Sequence, residues 1–172
     1  AVAHPGHDHG GFSSGLLHPI LGLDHLLAMA AIGFWSICQS GMMQKVTPLF
    51  VLGGMLFGAA IAWMGIAMPG VETGIVLSVM LAGVLIATLA KLPATVSAPL
   101  VVAFMLFHGH AHATEMPAGA ALMAYMVGFS IATLAIAYAG RALGQAMLKA
   151  DNRVVRGIGA AIVGVGGVMM VG

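Results

Sequence analysis

The histidines of this chain fall into three short runs, and none lies between His25 and His108. The first run is His4-Pro5-Gly6-His7-Asp8-His9. The second is His18-Pro19-Ile20-Leu21-Gly22-Leu23-Asp24-His25, with Met29 four residues further on. The third is Phe107-His108-Gly109-His110-Ala111-His112-Ala113-Thr114-Glu115. Imidazole nitrogen and carboxylate oxygen together are donors for Ni, Co, Zn and Fe ions. The single cysteine, Cys38, can build neither an internal disulfide nor a thiolate cluster, and it reads as a small apolar filler. The chemistry to expect is ligation of a divalent transition metal by nitrogen and oxygen.

Helical spacing determines which of these groups can act together. On one helix, His18, His25 and Met29 lie along one face and Asp24 on the neighbouring row. With that helix starting near Gly15, Asp24 sits about 13 Å from its beginning. A charge at membrane depth costs about 2.5–3.5 kcal/mol on the lenient insertion scale, and a bound cation would offset it. The competing reading is a structural Asp–His hydrogen bond between two helices. His108 and His112, at i and i+4, have the spacing of a two-histidine metal site, and Glu115 extends that face. The alternative there is a set of capping or interfacial histidines. His110 points off this face and, with Met29, is a secondary candidate. His4, His7 and His9 are candidates for metal capture, against the plain reading of a disordered polar tail.

The composition says where such a site would sit. The chain is 60% hydrophobic and 6% charged, with a mean hydropathy of +1.06, whereas soluble domains carry about 25% charged residues. This predicts an all-α integral membrane protein, a bundle of about six transmembrane helices in one domain over residues 15–172, preceded by an external His-rich tail at 1–14. Charges mark the predicted spans: the first over Gly15–Cys38, the second over Pro48–Met68, the third between Glu72 and Lys91, the fourth between Lys91 and Glu115, the fifth between Glu115 and Arg141, and the last over Val154–Val171. Pro19, Pro48 and Pro117 suit first turns. Arg141–Arg156 reads as a loop or a short interfacial helix. All six basic residues then fall in alternate loops on one side, which the positive-inside rule makes cytoplasmic, with both termini outside. Trp35, Trp63 and Tyr138 suit interfacial anchors. The pairs Gly54/Gly58, Gly70/Gly74 and Gly140/Gly144 have the small-xxx-small spacing of close helix contacts, within the chain or in an oligomer. Ala1-Val2-Ala3 has the form of a signal-peptidase site, so the N-terminus is expected to be exported after cleavage of a signal peptide. Nothing resembles a nucleic-acid surface, and no lysine sits in a phosphate-binding loop that would drive transport with ATP.

The segments His18–Met29 (HPILGLDHLLAM) and Phe107–Glu115 (FHGHAHATE) resemble the HupE/UreJ family of hydrogenase- and urease-associated nickel/cobalt permeases. Ala113 stands where the family pattern has glycine. Broader nickel/cobalt transporters share a related His-x4-Asp-His pattern, from which the five-residue spacing here departs. The resemblance implies a secondary permease for Ni2+ or Co2+ in a bacterial inner membrane rather than an enzyme, with His18, Asp24, His25, His108, His112 and Glu115 at the functional positions. Zn2+ is the rival cargo. The other classes are a membrane metal sensor or accessory subunit and an intramembrane di-iron enzyme; the last normally needs more histidines, on the cytoplasmic side. The first and fourth predicted spans are expected to meet at one shared site in the outer half of the bundle, with Gly22 and Gly109 letting their backbones approach.

The one-sided distribution of Lys and Arg makes a topology prediction. Cysteines placed at Lys45 and Gly70 in a Cys38→Ala background should be labelled from opposite sides by an impermeant thiol reagent. Equal labelling of both from outside would contradict the arrangement.

Overall fold

A computed structural model describes residues 11–118 and 120–171 of the chain, and in it the protein is all-helical. Among the described residues seven helices follow in order: α1 Gly11–Leu21, α2 Leu23–Ser36, α3 Gly41–Trp63, α4 Val71–Ala87, α5 Ala94–Thr114, α6 Leu122–Ala150 and α7 Asn152–Val171. Among the described residues α3, α5, α6 and α7 are long and apolar enough to cross a membrane. The bent pair α1–α2 makes a fifth if it counts as one span. α4 is apolar but has only 17 residues. The calls on His4, His7 and His9 lie outside the described residues.

The first predicted span is broken. Instead of one helix over Gly15–Cys38, α1 and α2 meet at Gly22 at an angle of 78°. The cause is local. Pro19 lacks an N–H, and Gly22 adopts an extended conformation, φ −81° and ψ 110°, as the residue that caps α2. Asp24 consequently lies in the first turn of α2 rather than deep in a continuous helix. Its Oδ1 accepts the backbone N–H of His25 in the first turn at 2.7 Å, and the positive end of the α2 dipole favours its charge. This relieves much of the burial cost that a mid-helix position would impose.

Glycines set the helix pairing. Gly54 and Gly58 of α3 lie against the α5 backbone near Val102 and Leu106, and Gly109 of α5 lies against Met55. Gly140 and Gly144 of α6 receive Ala30 and Phe34 of α2, and Gly33 of α2 faces Ala137. Gly15 and Gly128 let α1 lie along the first half of α6, while Gly83 and Gly159 join α4 to α7. A Cβ at these positions would meet a neighbouring backbone. Two of the three predicted small-residue pairs are therefore helix contacts within the chain. The third differs: Gly70 is a turn residue at φ +70° that caps α4, and Gly74 faces the Phe107 ring. Gly109 packs on α3, and Gly22 makes the bend, so neither draws the first and fourth predicted spans together.

Other expectations also shift. Pro48 does not begin a helix, because α3 starts at Gly41, capped by the Ser40 hydroxyl on the Met43 N–H. A proline at 48 leaves the carbonyl four residues earlier, that of Gln44, without its helical donor. Arg141 of α6 supplies one: its Nη1 donates to the Gln44 carbonyl oxygen at 2.6 Å. Arg141–Lys149 is thus a continuation of α6 rather than a loop. Trp35 is buried, not an interfacial anchor. Its Nε1 donates to the Ala90 carbonyl at 2.9 Å, and Gln39 donates to the same oxygen at 3.0 Å, tying the end of α2 to the loop after α4. Trp63 and Tyr138 are exposed on the bundle surface, as anchors should be.

The Arg141–Gln44 contact can be tested by exchange. Arg141→Leu leaves a carbonyl without a donor and should lower stability by about 1–3 kcal/mol. Adding Pro48→Ala restores a backbone N–H at the right place and should recover much of the loss. Thermal unfolding of the purified protein reads both, and no recovery in the double variant would refute this account of the proline.

Candidate metal site

Three imidazoles meet in the interior. His25 comes from the first turn of α2, and His108 and His112 come from successive turns near the end of α5. All three are buried, at 1%, 0% and 7% exposure. His25 Nδ1 lies 3.3 Å from His108 Nδ1 and 2.8 Å from His112 Nε2. One donor atom from each residue falls within 4.8 Å of the others. At a metal–nitrogen distance of about 2.1 Å, nitrogens on adjacent coordination positions lie roughly 3.0–3.4 Å apart. The two separations from His25 Nδ1 are close to those between neighbouring ligands of one ion.

A hydroxyl fixes the tautomer of one ring. Ser78 of α4 donates its only hydroxyl proton to the Ile75 carbonyl at 2.6 Å. Its oxygen, 2.9 Å from His108 Nε2, can then only accept. His108 must carry its proton on Nε2, so its Nδ1 lone pair faces His25. On the other side Thr133 of α6 is 3.3 Å from His25 Nε2, and its hydroxyl can donate or accept. His25 therefore keeps both tautomers open. Phe129 packs at ring-centroid distances of 5.7 Å from His25 and 4.9 Å from His112.

A second group lies nearer the end of α5. Glu115, the residue that ends α5, accepts from His18 Nε2 at 2.9 Å, and its same oxygen lies 3.4 Å from His112 Nδ1. His18, His112 and Glu115 form a second trio with one donor atom each within 4.8 Å. Outside the helix, the Glu115 carboxyl is held down to about 2, first by its contact with the His112 imidazole and also by that with His18, against an opposing effect of burial. It is a carboxylate at any physiological pH.

Both groups open on a cavity of about 300 Å3 lined by His18, Asp24, Glu72, His108, His112 and Glu115, among others. Five of the six principal sequence candidates are thus gathered by their donor atoms: His18, His25, His108, His112 and Glu115. Asp24, the sixth, lines the cavity with its carboxylate bonded to the start of α2. Of the secondary candidates, Met29 is fully buried in the apolar core, one turn below His25. His110 is turned away, its Nε2 donating to the Ile66 carbonyl at 3.0 Å.

Ser78, Thr133 and Glu72 are absent from the sequence expectations. Ser78 has a weak signal, a lone hydroxyl in the apolar run from Ile75 to Ala87, and Thr133 is similar in α6. Nothing in their spacing links them to the histidines.

The chain matches the HupE / UreJ protein family over residues 1–169. It is 38% identical over 173 residues to Protein HupE of Rhizobium leguminosarum bv. viciae, an alignment that covers 100% of this chain and 91% of the relative. The chain belongs to the HupE/UreJ family. No solved structure matches it.

If Ser78 holds His108 in the metal-ready tautomer, Ser78→Ala should weaken Co2+ or Ni2+ binding by about 10–100-fold, the usual effect of losing a partner that orients a metal ligand. Ser78→Cys, similar in size but a poor acceptor, should follow it. Equilibrium dialysis measures both, and wild-type affinity in the two variants would dismiss the role.

Proposed function

We propose that this protein is a secondary permease that carries Ni2+ or Co2+ from the outside of a bacterial inner membrane to the cytoplasm, binding it between α2 and α5. One observation carries the reading: three buried imidazoles converge inside an apolar bundle beside a carboxylate-lined cavity. Buried lone pairs facing one another are unfavourable without a cation or a shared proton between them. Among biological metals, an all-imidazole group suits Ni, Co and Zn and disfavours Mg and Ca. Membership in a family associated with nickel and cobalt transport supports Ni2+ or Co2+ as cargo over Zn2+. His18, Asp24, His25, His108, His112 and Glu115 are the residues assigned to the metal.

The bundle is read as six crossings, with the bent α1–α2 pair as the first and α4 as the third. At 1.5 Å per residue, the 17 residues of α4 span about 26 Å, at the lower limit for a membrane helix. Lys45, Lys91 and Arg141 then share the cytoplasmic end, and both chain ends lie outside. The Arg141–Gln44 bond supports this, since it joins two basic segments at one end of the bundle. The cavity then faces outward. Met29, Val79 and Met105, one turn or less along their helices from the site on the side away from the cavity's rim, are fully buried, which suits the closed cytoplasmic side of an outward-facing carrier.

Uptake of radiolabelled Ni2+ and Co2+ into cells expressing the chain alone, with Zn2+ as competitor, tests the reading. His25→Ala and His112→Ala should each remove most high-affinity binding and uptake, and combining them should add little because both damage one site. Uptake unaffected by either substitution, or none in wild-type cells, would overturn it.

A further inference from the structure

We propose, building on the permease reading, that the ion passes through two successive binding stations that share the imidazole of His112. The outer station is His18, Glu115 and His112 Nδ1. The inner station is His25, His108 and His112 Nε2. The two nitrogens of this one ring face different groups: Nε2 is 2.8 Å from His25 Nδ1, and Nδ1 is 3.4 Å from the Glu115 carboxylate oxygen. Nδ1 is also buried and, among the described residues, has no hydrogen-bond partner. A ring nitrogen left unsatisfied at such a depth is unusual, and it points toward the outer trio.

The chemistry of the ring makes the stations alternate. Neutral imidazole has one lone pair, with the proton on the other nitrogen. While His112 ligates an outer ion through Nδ1, its Nε2 carries the proton and cannot ligate an inner ion. The other tautomer, with its proton on Nδ1 facing the Glu115 carboxylate, has the reverse choice. His112 therefore serves one ion at a time, and an ion moving inward exchanges one face of the same ring for the other. Thr133 suits this exchange. When His112 Nε2 carries its proton toward His25 Nδ1, and again when His25 Nδ1 ligates the ion, His25 keeps its own proton on Nε2, where the Thr133 hydroxyl can accept it.

The surroundings give the stations different tasks. The side chains of His18 and Glu115 are 31% and 50% exposed, and both border the 300 Å3 cavity. That volume admits several waters, at about 30 Å3 each, so an ion there keeps part of its hydration shell. Asp24 and Glu72 on the same cavity wall attract cations. The inner station has no carboxylate among its three donors and is almost fully buried. An ion that reaches it exchanges water and oxygen for nitrogen. Capture is thus broad at the outer station, and selection against oxygen-preferring cations falls to the inner one.

Co2+ binding to the purified protein, followed by its visible absorption in equilibrium and stopped-flow experiments, separates the stations. His18→Ala and Glu115→Gln, both at partly exposed positions, should slow association by about tenfold, with a much smaller loss of affinity than the inner variants show. A merely structural role would move Kd instead. His108→Asn and His25→Asn should weaken binding by at least about 100-fold and leave a spectrum of mixed oxygen and nitrogen ligands from the outer station. His112→Ala should abolish both signals. Equal loss of affinity in the outer and inner variants, with one common spectrum, would mean a single station and overturn the relay while leaving the permease reading in place. A wild-type protein that binds no Co2+ would overturn both.

Discussion

A lone pair buried in an apolar interior needs a positive partner, and near one end of this bundle several are aimed at one another. Ser78 turns the Nδ1 lone pair of His108 toward His25, and His112 Nε2 closes on the same atom from the next turn of α5. Leaving a polar group unsatisfied there costs about 1–3 kcal/mol, so the packing around the rings must be strong enough to keep them from turning away. The arrangement suits a site that must be occupied and then emptied. A proton shared between rings satisfies it without metal, and a cation satisfies it better.

Backbone contact provides that packing. Where glycine lets two helices touch, as α3 and α5 do along Gly54, Gly58 and Gly109, the bundle gains van der Waals contact that apolar side chains cannot obtain from lipid. α6 acts as the common wall: its first half receives α1 and its second half α2, so the two arms of the bend are held by one continuous helix. His18 and His25 are thereby placed on separate elements yet brought to the same ring, that of His112. The bend also gives Asp24 a helix start on which to rest its charge.

How much of this was legible in the sequence depended on whether a pattern was local. His108, His112 and Glu115 lie within one helix end, and their i, i+4 and i+3 spacing survives intact in three dimensions. The pairing of that run with His18 and His25 was legible because few other polar groups exist in the chain. The break at Gly22 was not foreseen, although Pro19 and Gly22 within four residues carried the signal; hydrophobicity continues unbroken across them and hid it. The start of α3 was missed for the opposite reason. Pro48 looks like a first-turn residue, and only Arg141, about a hundred residues away, makes a proline tolerable inside the helix. Ser78 and Thr133 could not be assigned, because a hydroxyl that serves a ring on another helix has no spacing of its own.

The seating of α1 on α6 bears on how the protein is made. His18 and Glu115 are 97 residues apart in the chain, and α1 finds its wall only in residues that follow Glu115, around Tyr125 and Gly128. During synthesis the N-terminal histidines therefore emerge long before anything can hold them in position. The ligands converge only when the start of α6 has left the ribosome and entered the bilayer. A chain stalled or truncated before that point has its imidazoles but no wall to bring them together.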